Sequence, residues 1–204
     1  MDSQDDKTNR RPLKSRSTGW AATASRAVLA TGMSANQVSF LGIVIAALGA
    51  WAMIEAPTRP TLFVAAAIAI QLRLLANMLD GMVAVEGGRC GPTGAIWNEF
   101  PDRIEDSLFL VAAGYAAELP WLGWLCALLA AICAYVRLLG GTLGQPQDFG
   151  GPMAKPHRMA ALTVGCLVAT IWFGALQVAL GAIAAGTLLT IGLRLMRLSK
   201  ALRA

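Results

Sequence analysis

Apolar stretches close to 20 residues long recur along this chain of 204 residues, and each is about the length that crosses a bilayer as a helix. Read as runs, they place six spans at about 36–56, 61–83, 96–117, 120–141, 159–176 and 178–197. Only 14% of the residues are charged, against about 25% in soluble domains, and the mean hydropathy is +0.56. A water-soluble globule is therefore excluded. Long alternating segments are too few for an outer-membrane β-barrel. The cysteines (Cys90, Cys126, Cys133, Cys166) lie mostly inside apolar runs, with no disulfide framework and no metal-ligand spacing. The expected fold is an all-α integral membrane protein. Its residues 1–35 form a basic arm with an interfacial segment at 19–33, and residues 36–204 form one six-helix membrane domain.

Six spans put both ends on one side, and the basic residues say which. With both termini in the cytoplasm, the inner side holds Lys7, Arg10, Arg11, Lys14, Arg16 and Arg26 of the arm. It also holds Arg89, Lys155, Arg158, Arg194, Arg197, Lys200 and Arg203, whereas the outer loops hold only Arg59. This asymmetry fixes the orientation by the positive-inside rule, in what reads as a bacterial inner membrane. The net charge of +5 is thus a topology and headgroup signal, and nucleic-acid binding is a poor reading of it. Trp121, Trp124 and Trp172, near span ends, read as interfacial anchors.

Two spans are apolar for only half their length. The second ends QLRLLANMLDGMVA, with Arg73, Asn77 and Asp80; the third begins IWNEFPDRIED, with Asn98, Glu99, Asp102, Arg103, Glu105 and Asp106. Both polar halves fall at the same cytoplasmic depth. A charge at the centre of a lipid-facing helix costs roughly 3 kcal/mol or more, so these groups must face one another. Arg73, Asn77, Asp80 and Ala84 share one helix face by spacing, and so do Asn98, Asp102 and Asp106. Glu99 and Glu105 are expected to point elsewhere. The hairpin EGGRCGPTG between the two helices reads as a turn. Clustered carboxylate and carboxamide oxygens suit a hard cation such as Mg²⁺, Mn²⁺ or Ca²⁺. The competing structural reading has Arg73 and Arg103 merely pairing with the acids to stitch the helices. A transporter would spread its polar groups across the bilayer, and here they stop halfway.

These residues resemble the signature of the CDP-alcohol phosphatidyltransferase family, D-x2-D-G-x2-A-R-x8-G-x3-D-x3-D. Asn77, Asp80, Gly81, Ala84, Val85, Gly94, Asn98 and Asp102 occupy its positions without a gap. Ser34-Ala35-Asn36 before the first span and Lys155-Pro156-His157-Arg158 before the fifth are weaker echoes. The resemblance implies attack of an alcohol hydroxyl on the β-phosphoryl of a CDP-linked donor such as CDP-diacylglycerol, with CMP leaving. By position it implies Asn77, Asp80, Asn98 and Asp102 as ligands of Mg²⁺ or Mn²⁺, and Asp102 as the base that takes the hydroxyl proton. It further implies Gly81 and Ala84 as the small residues that admit the donor, with Arg73 beside them. Arg137, Lys155 and Arg158 are candidates for an acceptor or phosphate group, and a homodimer is a family expectation. His157, the lone histidine, reads as solvated.

Three positions depart from the signature: Asn77 and Asn98 replace its first and third aspartates, and Val85 replaces its arginine. A similar N-x2-D-G and N-E pattern marks a bacterial branch of the family, which the chain resembles. The readings are an inactive relative acting as a scaffold, a one-metal enzyme, or an enzyme that recruits Asp106 or Glu99 as further ligands. The variant enzyme is expected, because Asp80, Gly81, Ala84, Gly94 and Asp102 all survive. An alternative register pairs Asp102 and Asp106 with the last two signature positions, at the cost of a longer hairpin and Asn98 in place of glycine.

Overall fold

The computed structural model describes residues 19–86 and 93–203, and all regular structure among them is helical. The basic arm at 1–18, with Lys7 to Arg16, lies outside the described residues, as do Arg89, Cys90 and most of the predicted hairpin.

The predicted interfacial segment forms α1 (Gly19–Ala30), with Trp20 exposed and Ala21 buried. It ends in a turn at Gly32, whose φ of 77° is costly for a residue with a Cβ. Ser34 then starts α2 (Ala35–Glu55) with a capping box: Gln37 N–H donates to Ser34 Oγ at 3.3 Å, and Ser34 N–H donates to Gln37 Oε1 at 2.8 Å. α3 (Thr61–Glu86) and α4 (Gly94–Ala116) carry the polar halves. Pro101 inside α4 leaves the Trp97 carbonyl without its usual helical donor. α5 (Pro120–Thr142) opens on a proline, whose fixed φ suits a first turn. α6 (Lys155–Ala169) and α7 (Gly174–Ala201) complete the bundle.

Length and composition suit four of these helices to crossing a membrane: Ala35–Glu55, Thr61–Ala84, Pro120–Thr142 and Gly174–Ala201. The acids and arginines of α4 exclude it from that set, and α6 has only 15 residues. The last two helices also correct the spans expected at 159–176 and 178–197. α6 starts at Lys155, because Pro156 fits a helix's first turn, and a reading by apolar runs skips that basic turn. It stops at Ala169, where Thr170, Ile171 and Trp172 form a turn in which the Ile171 and Trp172 N–H groups both reach the Val168 carbonyl.

Phe63, Ile70, Phe109, Leu110, Leu162, Leu176, Leu180 and Ile183 fill the interior. Phe40, Leu48, Trp51, Ile68, Trp121, Trp124 and Trp172 face outward, an inversion that fits hydrocarbon or interfacial surroundings. α4 and α5 meet closely: a Cβ on Gly114 would lie 2.6 Å from Gly123 Cα. α1 packs on α3 through Ala21, Leu79 and Met82, in a cluster that Val38 of α2 joins. The buried charges come from the middle and second half of α3 (Arg73, Asp80), the middle of α4 (Glu105, Asp106), the first turn of α6 (Arg158) and the second halves of α5 and α7 (Arg137, Arg194).

Candidate active site

α3 presents Arg73, Asn77 and Asp80 to its neighbours on one face, as their spacing predicts. Arg73 is fully buried. Its Nε donates to Glu105 Oε2 at 2.5 Å, and its Nη2 pairs with Asp106 and donates to the Asp102 carbonyl at 3.3 Å. A guanidinium out of water is tolerable only when hydrogen bonds and countercharge surround it. Arg73 is therefore a strut between α3 and α4, with its Nη1 buried and without a hydrogen-bond partner among the described residues. The stitching expected of it as the competing reading is real at this residue.

Asp80 is buried, and its Oδ2 accepts from Ser39 Oγ of α2 at 2.7 Å. Its Oδ1 is buried with no hydrogen-bond partner. Asp102 on α4 accepts from Asn77 Nδ2 at 2.5 Å, pairs with the Lys155 ammonium, and lies 3.5 Å from Arg103 Nη2. Asp102 meets the same face of α3 as Asp80, through the hydrogen bond it accepts from Asn77 three residues before Asp80. Gly81 and Ala84 follow Asp80 along α3 and are part-exposed. Asn77 turns its amide nitrogen to Asp102 and to Glu105, the latter at 3.0 Å, so its oxygen is the free end. The side chains of Asn98 and Val85 lie outside the described residues.

Glu105 does not point elsewhere. It is fully buried against Arg73, Asn77 and α2, where a Cβ on Gly42 would come 2.5 Å from its Oε1. Its position three residues beyond Asp102 puts it on the flank of the same helix face, a signal that strict four-residue spacing passes over. Ser39, too, was missed, since a lone serine in an apolar helix carries no pattern. Glu99 does face away, pairing with Arg137 of α5 at 2.5 Å. Arg137 also donates to Gln147 and stacks 5.1 Å from the Phe149 ring centroid. Asp106 gives one oxygen to Arg73 and the other to Arg158 Nη2 at 3.4 Å. Arg158 is buried and further bonded to the Met153 carbonyl at 3.0 Å, and Arg194 anchors the 143–154 loop through the Gly150 carbonyl at 3.0 Å. Of the three basic acceptor candidates, Arg137 and Arg158 are thus held by protein groups, and Lys155 stands on Asp102.

Among the described residues no group of three or more histidines, cysteines or acids forms a ready metal cage. Of the acids at this site, Asp80 has no cationic side chain within ion-pair distance among the described residues, and its Oδ1, like Glu105 Oε1, is buried with no hydrogen-bond partner. The donor set nevertheless fits one hard divalent ion: oxygen ligands only, with a buried Asp80 oxygen that nothing satisfies.

No family model matches the chain. It is 31% identical over 131 residues to the inner membrane protein YnbA of Escherichia coli, an alignment covering 62% of this chain and 63% of that protein. The match thus spans just under two thirds of that relative's length. It is 28% identical over 182 residues to a phosphatidylinositol phosphate synthase of Mycobacterium marinum, covering 84% of this chain and 76% of the relative. An archaetidylinositol phosphate synthase of Aeropyrum pernix is 34% identical over 119 residues, 57% of each chain. Among solved structures, the Mycobacterium tuberculosis phosphatidylinositol phosphate synthase in complex with manganese and citrate superposes with a TM-score of 0.76 at 22% identity, covering 87% of this chain and 88% of that one. The same enzyme with CDP-DAG bound gives 0.75 at 23% identity, covering 87% and 92%. In sequence the chain is similar to the phosphatidylinositol phosphate synthases, it shares the fold of the solved one, and it keeps the spacing D-x2-D-G-x2-A-R-x8-G-x3-D-x3-D with Asn77, Val85 and Asn98 as departures.

Proposed function

We propose that the chain is a membrane-embedded CDP-alcohol phosphatidyltransferase of phospholipid synthesis. It moves the phosphatidyl group of a CDP-diacylglycerol donor to an alcohol and releases CMP. The observation that carries this is Asp80 with its bare buried oxygen, set beside Asp102 between two helices that follow the signature spacing. The acceptor hydroxyl attacks the β-phosphorus, a new P–O bond forms, and the bond from that phosphorus to the CMP oxygen breaks. Asp102 takes the hydroxyl proton, and Asn77, hydrogen-bonded to it, fixes its orientation. A bound Mg²⁺ or Mn²⁺ supplies neutralisation of the diphosphate, and Asp80 with the amide oxygens of Asn77 and Asn98 would hold it. Gly81 and Ala84 keep that stretch of α3 free of bulk, so the donor's diphosphate and cytidine can come against it.

α4 and α6 complete six spans, their polar ends at the cytoplasmic face with both termini, because the basic residues cluster at that end. A bacterial inner membrane suits this arrangement, and the E. coli relative is named an inner membrane protein. The acceptor is a phosphorylated alcohol. Two relatives are named for inositol phosphate products, and Lys155 stands at the site. Pairing of two copies is supported by small exposed positions on α7, Gly181 and Ala185.

The test is CMP release by the chain reconstituted in vesicles with CDP-diacylglycerol and a panel of inositol phosphate, glycerol phosphate, inositol and serine. Release that requires Mg²⁺ or Mn²⁺, stops with chelator and is fastest with a phosphorylated alcohol is expected. Absence of release with every acceptor would favour a non-catalytic scaffold.

A further inference from the structure

The buried charges at the site pair off unevenly. Glu105 and Asp106 answer Arg73 and Arg158, and Asp102 answers Lys155 in contact and Arg73 Nη2 at the longer distance of 3.7 Å. Arg103 touches Asp102 only from the rim, at 3.5 Å and about a quarter exposed. Asp80 alone in this cluster has no cationic side chain within ion-pair distance among the described residues, and one of its oxygens is bare. Asn77 and Asn98 stand where the signature has aspartates, so two negative charges are absent from the same place.

We propose that Lys155 is a built-in cation of this site: its ammonium occupies the flank of Asp102 that a second divalent ion would otherwise take, leaving one divalent ion, at Asp80. The proposal rests on the transferase reading above and adds the metal stoichiometry and the residue that sets it. An ammonium in contact with a carboxylate both neutralises it and repels a divalent ion from it. Lys155 reaches this position from the first turn of α6, where Pro156 presets the helix start, and only 15% of its side chain is exposed. The two aspartates thereby divide their work. Asp80 keeps the metal, and Asp102, neutralised without one, keeps an oxygen for the hydroxyl proton. The asparagines belong to the same arrangement, because a site with one divalent ion and one ammonium needs fewer acids than a site with more metal.

Mn²⁺ binding to the purified chain in lipid, followed by electron paramagnetic resonance without substrate, reads this directly. One Mn²⁺ per wild-type chain is expected. Lys155→Gln should bind a second Mn²⁺, or bind Mn²⁺ roughly tenfold more tightly, while Lys155→Arg should keep a single site of near wild-type affinity. Two Mn²⁺ per wild-type chain would overturn the proposal, as would a Lys155→Gln titration indistinguishable from wild type while one Mn²⁺ still binds. In that second case the transferase reading survives. No Mn²⁺ bound by the wild type would remove both. Should Lys155→Gln fail to fold, the wild-type count still decides between one ion and two.

Discussion

Arg73 ties α3 to α4 through one buried guanidinium. It is fully buried, and it reaches the Glu105 and Asp106 carboxylates and the Asp102 carbonyl from one guanidinium. Its planar fork of donors suits that task in a way lysine's single ammonium does not. Arg73→Met strands two buried acids, and breaking a buried ion pair from one side costs about 3–5 kcal/mol. Thermal unfolding of the detergent-solubilised variant should show a loss of that order. Arg73→Met combined with Glu105→Gln should lose less, because one stranded charge is removed with its partner. The face that carries Arg73, Asn77 and Asp80 was legible in the sequence from its spacing. The identity of Arg73's partners was not, because a guanidinium reaches several residues along the facing helix and spacing alone does not choose among Asp102, Glu105 and Asp106. The same ambiguity hid the Glu99–Arg137 pair, whose members lie on helices α4 and α5 and share no local pattern.

Two helix contacts fix where the polar halves meet. Gly42 of α2 leaves room for the Glu105 carboxylate, and Gly114 of α4 lies against Gly123 of α5 with no side chain between them. A methyl on Gly123 would meet the Leu110 carbonyl at 2.7 Å and Gly114 Cα at 2.8 Å, both backbone atoms that cannot turn aside. Gly123→Ala should therefore destabilise the chain by about 1–3 kcal/mol, the usual range for overpacking. Gly192→Ala, where an added methyl meets nothing within 4 Å, should leave the unfolding temperature unchanged or slightly raised. Comparable losses in both variants would contradict this packing. Helices α2 to α5 were legible to within a few residues, since capping at Ser34 and Pro120 coincides with the edges of their apolar runs. α6 was misplaced, because its first turn is basic and its last apolar neighbours belong to a turn. Hydropathy reports what surrounds a residue, and the backbone breaks at Thr170–Phe173 without a change in hydropathy.

Across the molecule, α3, α4 and α6 bring Arg73, Glu105, Asp106 and Arg158 into one buried cluster among the described residues, to one side of the apolar core around Phe63, Leu176 and Leu180. Such one-sidedness suits a reaction whose lipid donor stays in the bilayer while CMP leaves to water. It also makes the orientation testable. In a Cys90→Ser background, a membrane-impermeant thiol reagent applied to intact cells should label Arg59→Cys and spare Ser199→Cys, and the reverse pattern would invert the assigned topology. The general character of the site was legible at this scale, because charges inside long apolar runs have to face one another. What the sequence left open was which acids remain for a cation, and in the structure the arginines take Glu105 and Asp106 while Asp80 keeps a bare oxygen. The account's central claim is that Asp80 and Asp102 are the working carboxylates of a phosphatidyl transfer. Initial rates of CMP release from CDP-diacylglycerol vesicles test it most directly. Asp80→Asn and Asp102→Asn should each lower the rate by about 100-fold or more with the fold retained, and a rate within a few-fold of wild type in either variant would contradict the account.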